Sequence, residues 1–236
     1  MKRFYTEVTH GPGAQGGFEV RLDGKAIKTP TRKILAAPTE ALAAALVKEW
    51  ADQKDDILPH TMPLTQILTT ALDRVSNDRA ALQSAVLAYL DTDLLCYRAA
   101  HPKAMVQEQS RLWDPWLAWF EESYGIELRT SDHLRAHKQV PEAHKAAENA
   151  VVALDNVRFT LLQLIVSLSG SLVLGLAFVA GKIDAAKIFE AMHAEENFKA
   201  EVYNAQRHGF APHEEKSRAE IQRDLEAAQF FLQAMG

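Results

Sequence analysis

The sequence predicts an α+β fold, a small N-terminal β domain with a hairpin followed by a mostly α-helical C-terminal domain. Two observations carry it. Apolar and polar residues alternate around an Asp-Gly pair in the first thirty positions, and from Pro38 to the end the apolar residues recur at three- and four-residue spacing. The boundary falls after residue 37, giving a β domain of residues 1–37 and a helical domain of residues 38–236. A chain of 236 residues, 47% of them hydrophobic, is long enough to bury about 70% of its unfolded surface. It should fold alone, and a monomer is expected.

In the β domain, Phe18, Val20 and Leu22 alternate with polar residues before Asp23-Gly24. That pair favours a type I′ turn, which sets Val20 opposite Ile27. Gly11 to Gly17, with Pro12, Gly13 and Gly16 inside, reads as a flexible loop. An isolated hairpin is marginal, so residues 2–9 and 29–37 are expected to add strands.

Pro38 fits the first position of a helix carrying Leu42, Leu46, Val47 and Trp50. Thr61 is placed to cap a helix whose stripe is Leu64, Ile67, Leu68, Ala71, Leu72 and Val75. Leu82, Val86, Tyr89 and Leu90 mark the next. Asp114-Pro115 should break the following segment, with Asp114 capping a helix that carries Trp116, Trp119 and Phe120 and stops at Tyr124-Gly125. Later helices are expected over 142–168, 171–180, 184–207 and 214–234, with Gly181 as a stop.

Composition excludes several functions. A formal charge of −5 without a Lys/Arg cluster lacks the electrostatic footprint of nucleic-acid binding. One cysteine, Cys96, makes an internal disulfide impossible, and a reducing compartment fits. The positive start Met1-Lys2-Arg3 is not followed by an apolar signal core. Nothing here directs export. Phe159 to Ala180 carries no charge and is long enough to cross a bilayer, yet Ser169-Gly170-Ser171 breaks it and a small or polar stripe at 163, 167, 170/171 and 175 suits close helix packing. A buried helical pair is expected, without stable membrane insertion.

The candidates for chemistry are weak. His133 and His137 stand at i, i+4, but a third ligand would have to come from Glu142 or His144 across Pro141, and solvated histidines explain them better. Asp91 and Asp93 are suited to acid-base work or a hard cation; the plainer account is helix capping plus an ion pair with Arg98. Apolar neighbours should bury Cys96 and raise its pKa. A small soluble enzyme using Asp91, Asp93 or His133 stays open as the alternative. No catalytic residue, metal or cofactor is expected.

Trp113, Trp116 and Trp119 lie on one side of a helix, as core or as a binding platform, and Trp50 reads as core. On the helix from 184, Ile188, Met192, Val202 and Tyr203 share a face, with Glu195 and Lys199 in its middle at the favourable i, i+4 order. The reading is either a satisfied pair at the core's edge or an exposed apolar face with an acidic selector.

The chain resembles the ATP synthase assembly chaperones that bind the free alpha subunit of the catalytic head. The resemblance covers almost the whole sequence. It rests on Arg3-Phe4-Tyr5, Leu22-Asp23-Gly24-Lys25 with Lys28-Thr29-Pro30, Glu49-Trp50-Ala51-Asp52-Gln53 and Thr61-Met62-Pro63-Leu64-Thr65. Further pieces are Thr92 to Arg98, Trp113-Asp114-Pro115, Gly170 to Leu174, and Glu195-Glu196 with Phe198. After the aromatic the family usually has Gln, and later a Trp-Gly pair, where this chain has Lys199 and Tyr203-Asn204. What the resemblance implies is a β N-terminal and an α C-terminal domain, no enzymatic activity, no cofactor, the alpha subunit as partner, and a place in the bacterial cytoplasm or the mitochondrial matrix, the former favoured without a transit peptide. Together with the helical projection it marks Glu195, Glu196, Phe198, Lys199 and Tyr203 as the expected partner-binding residues.

Overall fold

A computed structural model of the chain describes residues 1–133, 138–202 and 212–236. Two compact units divide it: residues 1–79, 155–160 and 227–236, and residues 80–154 and 161–226. Strand gives way to helix between Ala37 and Glu40, so the first unit contains helices as well as the sheet.

In the first unit, β1 (Val8–Pro12), β2 (Phe18–Leu22), β3 (Lys25–Ala26) and β4 (Ala36–Ala37) form an antiparallel sheet. Strand β2 pairs with the other three. Asp23 and Gly24 have φ of 47° and 78°, as a type I′ turn requires, and the Ile27 amide donates to the Val20 carbonyl at 2.9 Å. Val20 and Ile27 are therefore opposite, as expected. The glycine-rich stretch departs from a loop at its start, because Gly11 and Pro12 pair with Glu19 and Phe18. Gly11 has a steric reason: a Cβ there would sit 3.1 Å from the Arg21 guanidinium, which crosses the strand to donate to the Pro12 carbonyl.

Helix α1 (Glu40–Ala51) packs on the sheet and against α2 (Pro63–Thr70). Its N-cap is Thr39, whose hydroxyl accepts from the Leu42 amide, so Pro38 precedes the cap instead of opening the helix. Thr61 does not cap α2 either. Its hydroxyl is engaged by Gln53 Nε2 and the Leu58 carbonyl, and the Glu49 carboxylate of α1 accepts from the Leu64 and Thr65 amides at 2.7 and 2.8 Å. A side chain from a neighbouring helix does the capping. A π-type turn at Ala71–Val75 leads into α3 (Ser76–Leu87), which departs from helical geometry at Asp78. A core cluster of Tyr5, Leu22, Ile57 and Met62 is joined by half-buried Val8, Ile27 and Trp50.

The second unit is arranged around α4 (Lys103–Tyr124), which packs on α7 (Leu172–Val179), α8 (Ala185–Met192) and α9 (Ala194–Val202). Pro115 lies inside α4, so Asp114 does not start a new helix. A proline removes one backbone donor and crowds the preceding turn; here buried Leu112, Trp113 and Phe120 anchor both sides. Gly125 ends α4 in the left-handed region, φ 73°.

The helix expected over 142–168 is two, α5 (Pro141–Val152) and α6 (Asn156–Ser169), because Asp155 accepts from the Val157 and Arg158 amides and restarts the chain. Gly170 at φ 70° and the Ser171 cap separate α6 from α7. A Cβ on Gly175 would stand 2.8 Å from Leu162 and Val166, the close packing that the small-residue stripe predicts. Among the described residues no helix is long and apolar enough to cross a membrane. The chain's last helix is α10 (Pro212–Met235).

Candidate functional site

Four of the five expected partner-binding residues lie on or beside α9, and Tyr203 lies outside the described residues. The single helix expected from 184 is interrupted at His193, whose Nδ1 and backbone amide both engage the Phe189 carbonyl, at 2.8 and 3.3 Å. The break is in the His193 backbone, which leaves helical geometry at φ −103°, ψ 14°. Asp184 caps α8 through the Lys187 amide, and Ile188 and Ala191 are buried.

Two chains of contacts run across the α9 surface. Glu195 accepts from Gln109 Nε2 at 2.9 Å and lies 4.0 Å from Lys199. Gln109 is fully buried in α4, and its oxygen accepts from the Ala99 amide at 2.8 Å, so the side chain that orients Glu195 is itself fixed at both ends. Glu196 accepts from Arg218 Nη1 at 3.1 Å, and Arg218 Nη2 donates to Asn197 at 2.9 Å. The Arg218 guanidinium also covers the Phe189 ring at 5.0 Å. The side chains of Glu195 and Glu196 stay 48% and 63% exposed, so each carboxylate is held yet open to a partner. Phe198 is half-buried and Lys199 exposed. Burial holds the His193 pKa below the usual imidazole value.

Gln109 and Arg218 escaped the sequence reading. Gln109 had left a signal: a polar residue in the stripe Met105, Gln109, Leu112 and Trp113 needs a polar partner once buried. Arg218 had none, since nothing local relates it to Glu196.

The candidates for chemistry go to separate structural duties. Asp93, fully buried, caps the short 3-10 turn Leu94–Cys96 through the Leu95 amide, and also accepts from Ser171 Oγ at 2.7 Å and the Val173 amide at 3.0 Å. Burial pushes its pKa up to about 6 against the pull of these donors. Asp91 accepts from the Gln139 amide and lies 2.9 Å from His144 Nε2. Arg98 pairs with Asp114 at 2.6 Å rather than with either aspartate, and its guanidinium lies 5.3 Å from the Trp113 ring centre. His133 is exposed beside Asp132, and His137 lies outside the described residues. Among the described residues no group of three His, Cys, Asp or Glu is placed to hold a metal ion. Cys96 is buried, with its thiol pKa raised by burial and by Asp93.

Trp113 is core, its Nε1 donating to the Ala191 carbonyl at 2.9 Å, while Trp116 and Trp119 are half-buried. A three-residue step advances about 300° on a helix, so the rings fan away from one another. Trp50 is half-buried, not fully core, and packs beside Tyr5.

The motif residues meet within each unit. In the first, Tyr5 donates to the Trp50 carbonyl at 2.7 Å, Asp23 accepts from the Thr6 and Glu7 amides, and Glu49 caps the helix starting at Pro63. In the second, Asp93 joins Ser171 and Val173, and Arg98 joins Asp114.

Comparison with known proteins agrees with this arrangement. The family model described as ATP12 chaperone protein matches residues 2–121, just over half of the chain. A curated relative, the mitochondrial protein atp12 of Schizosaccharomyces pombe, is 26% identical over 184 residues, 73% of this chain and 63% of its own length. The chain therefore spans less than two thirds of that relative. The crystal structure of Atp12 from Paracoccus denitrificans is 32% identical, with a TM-score of 0.88 over 100% of this chain and 98% of that one. A candidate chaperone from Agrobacterium tumefaciens is 33% identical, with a TM-score of 0.90 over 100% of this chain and 86% of that one. By the family match and by its likeness to these structures along the whole sequence, the chain belongs to the ATP12 chaperone family.

Proposed function

We propose that the chain is a non-enzymatic chaperone of ATP synthase assembly. It binds the free alpha subunit of the catalytic head, keeps it from self-association and releases it when the beta subunit competes. Membership of the ATP12 chaperone family is the observation that carries the reading. The α9 surface supports it: two carboxylates held in place but open to a partner, beside a half-buried aromatic, suit recognition better than reaction. A free alpha subunit exposes apolar surface that its beta neighbours normally cover, and such surface aggregates. The work is done in the compartment where the head is assembled, the bacterial cytoplasm or the mitochondrial matrix.

Light scattering tests the activity. Purified alpha subunit diluted from denaturant should scatter less with an equimolar amount of this protein, with no nucleotide added. Equal scattering with and without it would remove the chaperone activity proposed.

A further inference from the structure

A cleft of about 370 Å³ opens within the first unit, well apart in sequence from α9. Ile27, Leu35, Trp50, Ile57 and Met62 give it an apolar lining, and the loop residues Lys28, Thr29 and Pro30 line it too. Among the described residues none of those lining it is acidic, and Lys28 is their one charged side chain.

The loop beside the cleft is held rigidly. Two backbone bonds close it, from the Thr29 amide to the Lys33 carbonyl and from the Arg32 amide to the Thr29 carbonyl, both at 2.8 Å. Asp73 fixes it from the helical side, accepting from the Thr29 hydroxyl at 2.6 Å, the Thr31 amide at 3.1 Å and the Thr31 hydroxyl. Lys33 donates to the Leu72 carbonyl and the Ser76 hydroxyl, both at 2.6 Å. At the tip of this loop Arg32 takes φ 68°, in the left-handed region that suits glycine and strains other L-residues. Its side chain is exposed, and among the described residues neither Arg32 nor Lys28 has an ion pair. A strained position that returns no internal contact points to a contact outside.

No nearby acid offsets these two cations. The carboxylates bonded to the lining residues, or next to them in sequence, each have partners of their own. Asp73 serves the loop and has Lys33 as its neighbouring cation, Glu49 serves the α2 amides and the Thr65 hydroxyl, and Asp56 pairs with Lys2.

We propose that this cleft docks an acidic-apolar segment of a partner chain. A large apolar side chain enters beside Trp50 and Ile27, and an Asp or Glu close to it in sequence meets Lys28 and Arg32. The inference rests on the chaperone reading for the source of that segment, a client subunit, and on the cleft for its chemistry.

The probe is a short peptide with one phenylalanine between glutamates, carrying a neutral dye and titrated into the full chain by anisotropy. Its controls replace the glutamates with lysine, or the phenylalanine with glycine. The acidic phenylalanine peptide should bind, and each control should bind about tenfold more weakly or worse. Lys28→Glu and Arg32→Gly should each weaken binding about fivefold or more. Arg32→Gly should at the same time melt no lower than wild type, since glycine adopts the left-handed region without strain. Lys182→Glu in the second unit, the same charge change as Lys28→Glu, should leave binding intact. In nitrogen-proton correlation spectra, the indole peak lost in Trp50→Phe should move as the peptide is added. Equal binding by wild type and both loop variants, no binding by wild type, or a Trp50 peak that stays still overturns the proposal. Capture of purified alpha subunit is the second arm. If wild type captures it and the peptide arm fails, the cleft falls and the chaperone reading stands; if wild type captures none, that reading falls and the peptide arm alone decides the cleft.

Discussion

Trp50 packs beside Tyr5 against a cluster of Leu22, Ile57 and Met62, and its buried indole N–H has no hydrogen-bond partner among the described residues. Trp50→Arg would put a charged fork into that apolar contact with little to pair it. A cost of about 2–4 kcal/mol is expected, a large share of a domain's ~5–15 kcal/mol. Thermal melting checks it, and an unchanged midpoint would refute the packing role. The sequence placed Trp50 in its apolar stripe but could not grade its burial, which depends on Tyr5 and Met62 arriving from distant positions.

Asp93 makes a pH prediction. Burial raises its folded pKa to about 6, above the ordinary aspartate value of 3.8. Above about pH 6 the carboxylate is ionised in both folded and unfolded chains, and the cost of burying that charge is fully present. As pH falls from 6 towards 4 the folded state takes up the proton first, so this residue's contribution to stability rises, by on the order of 2–3 kcal/mol across the window. Subtracting the Asp93→Asn stability curve from the wild-type curve isolates it from carboxylates that behave oppositely, such as Asp73 and Asp155, whose pKa values are lowered. A difference that is flat from pH 4 to 7 would contradict the assignment.

Among the elements, the helices the sequence misjudged share one cause. Periodicity reports which face is buried, while a boundary depends on who satisfies the terminal amides. The α2 N-terminus is capped by Glu49, fourteen residues before Pro63, a partner that no local motif names. Glu49→Ala should therefore destabilise the first unit by about 1–2 kcal/mol, as loss of an N-cap does. Urea unfolding followed by far-UV circular dichroism measures it. An unchanged midpoint would mean that water caps α2 equally well. Where the signal is local the reading succeeds: the type I′ turn at Asp23-Gly24, the break at Ser169-Gly170-Ser171 and the stop at Gly125 each follow from backbone chemistry.

At the scale of the whole molecule, the residues that carry the resemblance mostly hold each unit together, through Tyr5 with Trp50, Glu49 with Leu64 and Asp93 with Ser171. Glu195 and Glu196 differ in remaining exposed. Reversing either to Lys sets it against a neighbouring cation, Lys199 or Arg218, so neither is a clean probe by itself. Glu196→Lys should still melt within about 1 kcal/mol of wild type, since exposed pairs contribute little; Glu195→Lys should cost about 1–3 kcal/mol, because it strands the buried Gln109 amide; both should lose alpha-subunit binding if α9 is the contact. The pair's orientation was not legible, because Gln109 and Arg218 come from other helices.

The most direct measurement of the central claim is capture. Immobilised protein is exposed separately to purified alpha and beta subunits of ATP synthase, and retained chains are quantified. The account predicts near-stoichiometric retention of alpha, displaced by added beta, with no retention of beta alone. Retention of beta alone, or of neither subunit, would contradict it.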